Sequence, residues 1–150
     1  MILLDTHALV WCATGDTTKM SGARMEQIDA AIIEGQAAVS AVTFWELELF
    51  RRKPDNSSLR LPPTANLRLP PTANLRLRLL SDGLQEIAPT GDLMVRAVQL
   101  GDEGFHKDPM DRIIVATALQ GGLRLATADA QIIDWANHTG HLELFDLQRD

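Results

Sequence analysis

The sequence contains a single cysteine, Cys12, so no internal disulfide can form. One thiol also cannot build a zinc knuckle or a CxxC redox pair. Because Cys12 lies within the apolar run ALVWCA, we expect it to be a small core residue. No serine or cysteine has the surroundings of an activated nucleophile, and the phosphate-binding pattern GxxxxGK[ST] is absent.

Long apolar runs are also missing. The longest ones, such as IIVATAL, are far too short to cross a bilayer, and MILLDTH reaches an acid at Asp5 instead of forming a signal peptide. With 150 residues and 45% hydrophobic content, the chain has the size and composition of a single globular domain. We therefore expect one domain over residues 1–150, cytoplasmic and without membrane contact.

An overall excess of basic residues is absent too. The formal net charge of −6 argues against a general nucleic-acid coat protein. The basic residues are nevertheless concentrated, because residues 51–78 hold half of the 14 lysines and arginines and only one acid, Asp55. The basic members of this segment are Arg51, Arg52, Lys53, Arg60, Arg68, Arg76 and Arg78.

The same segment contains a tandem repeat. LRLPPTAN occupies residues 59–66 and again, identically, 67–74, and a partial third start, LRLRLL, follows. Two copies of period eight are too few for a solenoid, so a tandem duplication is the simpler interpretation. Because Pro-Pro forbids a continuous helix, we predict an extended basic arm at about residues 55–75.

Elsewhere, strand-like and helical patterns alternate with short connections. Such alternation is typical of an α/β domain with three layers, in which helices cover both faces of a central, mostly parallel sheet. The predicted strands are MILL, AAVSAV, EIAP, LRLAT and ELFDL. The predicted helices are THALVWCAT, SGARMEQIDAAIIEG, residues 43–52, GDLMVRAVQLG, residues 109–120 and DAQIIDWAN.

Four acids lie where strands end or helices begin. Asp5 and Asp129 follow predicted strands, Glu46 is early in a helix, and Asp111 is in the first turn of another. Sites in parallel sheets form beyond the carboxyl ends of the strands. Gathered carboxylates repel one another unless a cation separates them, and Mg²⁺ or Mn²⁺ prefers such hard oxygen ligands. We therefore predict a metal site that could activate water and neutralise a phosphodiester.

A purely structural interpretation competes with this one at FHKDPMDRIIVATAL. Asp108 has the properties of a helix N-cap, Pro109 those of the first helical residue, and Asp111 those of an acid near the positive helix end. Glu46 also has a neighbour, Glu48, which lies about 200° away around a helix and cannot share its face.

Four motifs, taken in order, carry a family resemblance. MILLDTHALVW, SAVTFWELEL, FHKDPMDRIIVATAL and LRLATAD together resemble the PIN-domain ribonucleases, in particular VapC-type toxins of bacterial toxin–antitoxin systems. The similarity covers nearly the whole chain apart from residues 55–75. It implies a homodimeric, Mg²⁺- or Mn²⁺-dependent endoribonuclease that is inhibited by a cognate VapB-type antitoxin. The resemblance places the catalytic and metal-binding acids at Asp5, Glu46, Asp111 and Asp129.

Several accessory positions accompany these acids. The resemblance adds Asp108, and we add Thr6, Thr127 as a hydroxyl near Asp129, and Arg112 as an internal ion-pair partner or a phosphate contact. His106 is expected to be polar surface, with a proton shuttle as the alternative. We expect core or dimer packing, rather than base stacking, for the large aromatics Trp11, Phe44, Trp45 and Trp135.

Two other functions remain open at this stage. The acids could belong to a non-catalytic interaction module that uses its acidic cleft only to bind a partner. A phosphoacceptor receiver domain would need a lysine after a late strand, and neither EIAPTGD nor LRLATAD supplies one. The basic arm could follow an RNA backbone, meet an acidic antitoxin segment, or remain a solvated loop.

Overall fold

A computed structural model describes residues 1–57, 59–62 and 65–148. Its five strands pair in parallel in the order β3-β2-β1-β4-β5. The strands are β1 (Ile2–Leu4), β2 (Ala37–Ser40), β3 (Gln85–Ile87), β4 (Arg124–Thr127) and β5 (Leu144–Asp146). The helices are α1 (Thr6–Thr14), α2 (Gly22–Ile33), α3 (Val42–Arg52), α4 (Ala65–Arg68), α5 (Thr72–Asp82), α6 (Gly91–Gln99), α7 (Pro109–Gly121) and α8 (Ala130–Thr139).

The sheet is covered on both faces. Along β1, Ile2 and Leu4 belong to an apolar cluster with residues of α1, α2, α3 and α5. Leu3, between them, belongs to a second cluster with residues of α6, α7 and α8. Successive side chains of a strand point to opposite faces, so an uninterrupted apolar strand serves two cores at once. The predicted three-layer α/β/α architecture is confirmed.

The predicted helix signals are also found in the structure. Ser21 caps α2, with its Oγ accepting from the Arg24 backbone N–H at 3.1 Å. Gly122 ends α7 in the left-handed conformation at φ 62°, where a glycine carries no steric penalty. Among the described residues, no helix combines the length and the apolar character needed to cross a membrane.

The predicted extended arm is wrong for part of the repeat. The short helix α4 includes Ala65, and the second copy supplies the first residues of α5 from Thr72 onward. A Pro-Pro pair interrupts a helix at its own position, yet the chain after it is free to start a new one. Residues 63 and 64, within the first copy, lie outside the described residues.

The repeat segment also packs on the domain. Leu59 and Ala65 from the first copy are buried in the cluster that covers one face of the sheet, as are Leu75 and Leu79 of α5. Sequence patterning did not identify α5, because the LRLRLL stretch within it alternates in a way that resembles a strand as much as a helix.

The strand order sets where a cleft can open. The chain moves outward from β1 to β2 and β3, then returns to place β4 on the opposite side of β1. The connections that leave β1 and β4 therefore diverge to opposite faces of the sheet, and such a switch point leaves a crevice beyond the strand ends.

Candidate active site

A cavity of about 560 Å³ lies beyond the carboxyl ends of β1 and β4. We call it the acid pocket. Its lining includes all four acids predicted from the sequence and the accessory acid: Asp5, Glu46, Asp108, Asp111 and Asp129. These residues lie far apart in the chain, and the parallel sheet brings them to one edge.

Asp5 connects β1 to α1 and is 6% exposed. Its Oδ1 accepts the backbone N–H of Ala8 at 2.8 Å, which makes it the N-cap of α1, and it also has a side-chain hydrogen bond with Thr127. Burial raises the pKa of this carboxyl, while the two hydrogen bonds act in the opposite direction.

Glu46 projects from the second turn of α3 and is 7% exposed. Its Oε1 accepts a hydrogen bond from Thr6 Oγ1 at 2.7 Å, and Thr6 Oγ1 lies 3.0 Å from Thr43 Oγ1. Burial and, after it, the charges of Asp111, Asp108 and Asp5 together raise the pKa of Glu46 to about 7, against the opposing hydrogen bond from Thr6. The acids therefore lie close enough to repel each other.

Glu48, the other acid of the WELE motif, is outside the acid pocket. It is half-exposed and lies 3.4 Å from Arg52 Nη2 through its Oε2, as an ion pair along α3. The geometry thus separates the two glutamates as the helical angle between them requires.

Asp108 and Asp111 have different local roles at the start of α7. Asp108 is the predicted N-cap, and its Oδ1 accepts from the backbone N–H groups of Met110 at 2.9 Å and Asp111 at 3.1 Å. Asp111 Oδ2 instead accepts from His106 Nε2 at 2.8 Å. Burial, followed in effect by the charges of Asp108 and Asp129, raises the pKa of Asp111 to about 6, although the His106 bond opposes this.

Asp129 caps α8 directly after β4. Its Oδ1 accepts from the N–H groups of Gln131 at 2.9 Å and Ile132 at 3.1 Å. Thr127 links this residue to Asp5, because its Oγ1 accepts the Asp129 N–H at 3.1 Å and its side chain also bonds Asp5.

Capping and pocket formation therefore coexist in this site. Asp5, Asp108 and Asp129 each cap a helix, and all three helices start at the acid pocket. Each helix N-terminus carries a partial positive charge of about half a unit, which offsets part of the repulsion among the carboxylates. The competing helix-start interpretation of Asp108 is correct, and it does not remove the residue from the pocket.

Two expectations for neighbouring residues need correction, those for Arg112 and His106. Among the described residues Arg112 has no ion pair, because its Nε donates to the His106 carbonyl at 2.6 Å and its Nη2 to that of Phe105 at 3.1 Å. His106 is not simple polar surface, since it is largely buried against Asp111. For Trp45, which is 61% exposed, only the dimer-packing half of the expectation remains a prediction.

Trp11 and Trp135 are buried as predicted, although Trp11 also lines the acid pocket. Phe44 is half-buried against the apolar cluster of α1, α2, α3 and α5.

Other pocket residues were not singled out by sequence reasoning. They are His7, Ser57, Arg60, Ile114, Ala128 and Gln131. His7 had a weak signal as the third residue of DTH. Ser57 and Arg60 had none beyond their place in a basic segment, because their approach depends on how that segment packs.

The donor set is suited to a hard divalent cation. It consists of carboxylates, and among the described residues no lysine or arginine forms an ion pair with these acids. Asp108 and Asp129 use only Oδ1 for capping, which leaves Oδ2 for another ligand. Within the described part of the chain, however, no three acidic, histidine or cysteine side chains are already arranged around one ion position.

Comparison with known proteins decides the family. The family model of the PIN domain matches residues 2–137 of this chain. The chain belongs to the PIN-domain family. The receiver-domain alternative is thereby set aside.

The relatives of this PIN domain extend over nearly its whole length. Ribonuclease VapC22 of Mycobacterium tuberculosis is 28% identical over 131 residues, which cover 87% of this chain and 88% of that protein. A DNA-bound VapBC structure from Salmonella typhimurium has a TM-score of 0.63 at 17% identity, with 97% of each chain covered. A toxin–antitoxin complex from Klebsiella pneumoniae has a TM-score of 0.58 at 22% identity and covers 97% of this chain and 99% of that chain.

Proposed function

We propose that this PIN domain is the toxin of a toxin–antitoxin pair and acts as a metal-dependent endoribonuclease. The observation that carries the proposal is the convergence of Asp5, Glu46, Asp111 and Asp129 in one pocket, where no lysine or arginine of the described residues forms an ion pair with them. The similarity to a protein named a VapC ribonuclease supports the activity.

Mg²⁺ or Mn²⁺ is the cofactor that we propose for the acid pocket. Asp5, Glu46, Asp111 and Asp129 would hold it, and its absence would leave their mutual repulsion uncompensated. When bound, such an ion supplies positive charge for a phosphodiester and eases the deprotonation of water. Because the carboxylates are not already arranged around an ion, binding would require some side-chain rotation. Asp108 and Asp129 cap their helices through Oδ1 alone, so their Oδ2 atoms could face the ion without loss of the caps.

The remaining residues orient these groups. Thr6 holds Glu46, Thr127 joins Asp5 to Asp129, and His106 holds Asp111. His106 also lines the acid pocket and could carry a proton to or from the reacting site, through its bond to Asp111. Arg112 acts indirectly, because it donates hydrogen bonds to the carbonyls of Phe105 and His106 and so supports the loop that carries His106.

An antitoxin is the partner that we propose for this toxin. Solved structures similar in fold are named as VapBC complexes from Salmonella typhimurium and Rickettsia felis and as a FitAB complex, and all three are bound to DNA. A cognate VapB-type chain would lie across the acidic cleft and block access of RNA. A homodimer is part of the same proposal, and the exposed Trp45 and Leu49 of α3 are available for such contacts.

Asp5→Asn is the decisive variant. Asparagine keeps a side-chain oxygen for the Ala8 N–H, so the α1 cap and the fold should survive while the negative charge is lost. We expect the purified protein to cleave RNA with Mn²⁺ or Mg²⁺, and the variant to lose at least about a hundredfold of that rate. Cleavage is followed on labelled RNA by gel electrophoresis, with circular dichroism as the check on folding.

Asp134→Asn is the matched control, because Asp134 is exposed on α8 and does not line the acid pocket. It should cleave like the parent protein. Equal cleavage by Asp5→Asn would indicate a contaminating nuclease. No cleavage by the folded parent protein with either metal would favour the non-catalytic interaction module.

A further inference from the structure

The three starts of the repeat place three equivalent arginines in different surroundings. Arg60, Arg68 and Arg76 each occupy the second position of an LRL sequence. Arg68 Nη2 donates to the carbonyl of Thr14 at the end of α1. Arg76 forms a bidentate ion pair with Glu86, with Nε–Oε2 at 2.6 Å and Nη2–Oε1 at 2.9 Å. These two arginines therefore have structural partners.

Arg60 has a different position. It is exposed, it lines the acid pocket, and no ion pair of its guanidinium is found among the described residues. Its backbone carbonyl accepts a hydrogen bond from His7 Nε2 at 3.2 Å. His7 is two residues beyond Asp5, so this bond ties the repeat segment to the start of α1 at the pocket wall.

The charge of the acid pocket gives Arg60 a role. Within the described part of the lining, Arg60 is the only lysine or arginine beside five carboxylates. An RNA phosphate approaching these carboxylates is repelled, even when an ion offsets part of their charge. A guanidinium at the rim supplies a fixed positive charge and two parallel N–H donors that match phosphate oxygens.

We propose that Arg60 is a substrate-binding residue that holds an RNA phosphate next to the acid pocket. The inference rests on the proposed ribonuclease function and adds to it a role for the first repeat copy. Arg60 is long and solvent-exposed, so its guanidinium can reach a phosphate that neighbours the one being cleaved. The second copy does not duplicate this role, because its Arg68 is held at the end of α1.

An acidic antitoxin segment is the other ligand that could use the same guanidinium. RNA is favoured because Arg60 lies on the wall of the cavity that holds the acids, where a backbone phosphate must come close for cleavage. A carboxylate from a protein partner would have no reason to approach five other carboxylates at this point.

Arg60→Ala, Arg60→Lys and the matched control Arg68→Ala test the inference in two assays. Binding of a fluorescein-labelled, mixed-sequence RNA oligonucleotide is measured by anisotropy in the Asp5→Asn background, where cleavage does not interfere. Cleavage kinetics are measured with Mn²⁺ in the parent background. Thermal unfolding of every variant controls for folding.

We expect Arg60→Ala to weaken RNA binding and raise KM by on the order of tenfold, as for a lost charge-assisted hydrogen bond, with kcat little changed. The plot of log affinity against log salt concentration should become shallower by about 0.7, the value for one phosphate contact on a single strand. Arg60→Lys should keep that slope and recover part of the affinity, because the charge remains and the fork is lost. Arg68→Ala should bind and cleave like the parent.

Unchanged RNA affinity, KM and salt slope in Arg60→Ala would overturn the inference, as would an equal loss in Arg68→Ala. Reduced inhibition by antitoxin with unaltered RNA binding would also overturn it and assign Arg60 to the protein partner. Failure of the proposed function has a different signature, namely no cleavage by the parent protein or cleavage that survives Asp5→Asn. Loss of RNA binding by Arg60→Ala in that case would still support the phosphate contact, since binding is measured without cleavage.

Discussion

Individual carboxylates in this protein serve the backbone and the pocket together. Asp5, Asp108 and Asp129 each accept helix N–H groups through Oδ1, so their positions are set by helix capping. Glu46 and Asp111 cap no helix, and they are held by Thr6 and His106 instead. The capping acids are therefore placed by the start of their own helices. Glu46 depends on Thr6, which is 40 residues away in the chain, and Asp111 on His106, which is five residues away.

The raised pKa values of Glu46 and Asp111 predict that stability depends on pH in the absence of metal. Their ordinary values are 4.5 and 3.8, whereas burial raises them to about 7 and about 6. In this window the folded protein binds more protons than the unfolded chain, so the free energy of unfolding falls as pH rises through it. We expect the Tm in EDTA to fall between about pH 5 and pH 8, and Mn²⁺ to restore more of it at the higher pH.

Glu46→Gln isolates the contribution of one acid. The amide keeps an acceptor for Thr6 and removes the buried charge, so at about pH 8 in EDTA the Tm should rise by several degrees. Its dependence on pH should also be weaker than that of the parent protein. Glu48→Gln, on the exposed side of α3, should leave both quantities nearly unchanged. Identical melting curves for Glu46→Gln and the parent across this range would contradict the prediction.

At the scale of elements, the ends of the helices decide the architecture. N-cap aspartates start α1, α7 and α8 at the acid pocket. Glycines with positive φ end α1, α5, α7 and α8. Gly83, at the end of α5, is the most constrained of these glycines. Its φ is 119°, and a Cβ built on it would overlap the backbone carbonyl oxygen of Ile32 at the end of α2.

Gly83→Ala should therefore destabilise the domain by at least about 2 kcal/mol, because both backbone strain and steric overlap oppose a side chain there. For a chain of this size the Tm should fall by about 5 °C or more. Gly22→Ala is the matched control, since nothing lies within 4 Å of its Cβ position and it is in the first turn of α2. Differential scanning calorimetry measures both, and an unaltered Tm in Gly83→Ala would show that α5 and α2 can separate at no cost.

At the scale of the whole molecule, the repeat is an insertion that the core has partly absorbed. Its two copies are identical in sequence, yet Arg60 lies at the acid pocket and Arg68 at the end of α1. The two identical octapeptides therefore lie in different environments, because the first copy comes after α3 and the second copy leads into α5. Tertiary context, not local sequence, determines which copy reaches the acid pocket.

Deletion of residues 67–74 should leave a cooperatively folding domain. Removing either copy yields the same chain, in which Thr-Ala-Asn again precedes LRLRLL and can start α5. The shorter connection reduces the entropic cost of closing the loop by only about half a kcal/mol per halving of its length. Part of the packing of Leu59 and Ala65 is lost at the same time, so the Tm should fall moderately.

Deletion of residues 75–82 is the control for this experiment. It removes Leu75 and Leu79 from the core and should abolish cooperative unfolding. Thermal unfolding followed by circular dichroism distinguishes the two variants. A non-cooperative transition after deletion of residues 67–74 would show that both copies are needed for the fold.

Local patterns in the sequence determined the five strands, the helices other than α4 and α5, and the layers. Apolar periodicity and Asp, Ser or Asp-Pro start signals set these elements, because capping and hydrophobic periodicity act within a few residues. The family resemblance placed Asp5, Glu46, Asp111 and Asp129 among the candidates before their positions were known. Their proximity follows from parallel strand order, which the alternating pattern already implied.

Only the tertiary structure decided which other groups surround these acids. The bond from Thr6 to Glu46, the burial of α5 and the approach of Arg60 to the pocket join distant segments through packing, and the path of the loop before α7 sets the contacts of His106 and Arg112. No local preference specifies such contacts, because an arginine or histidine has the same intrinsic propensities wherever its neighbours come from. The sequence by itself thus determined the acids and the sheet that gathers them, and the packed chain decided what holds, shields and flanks them.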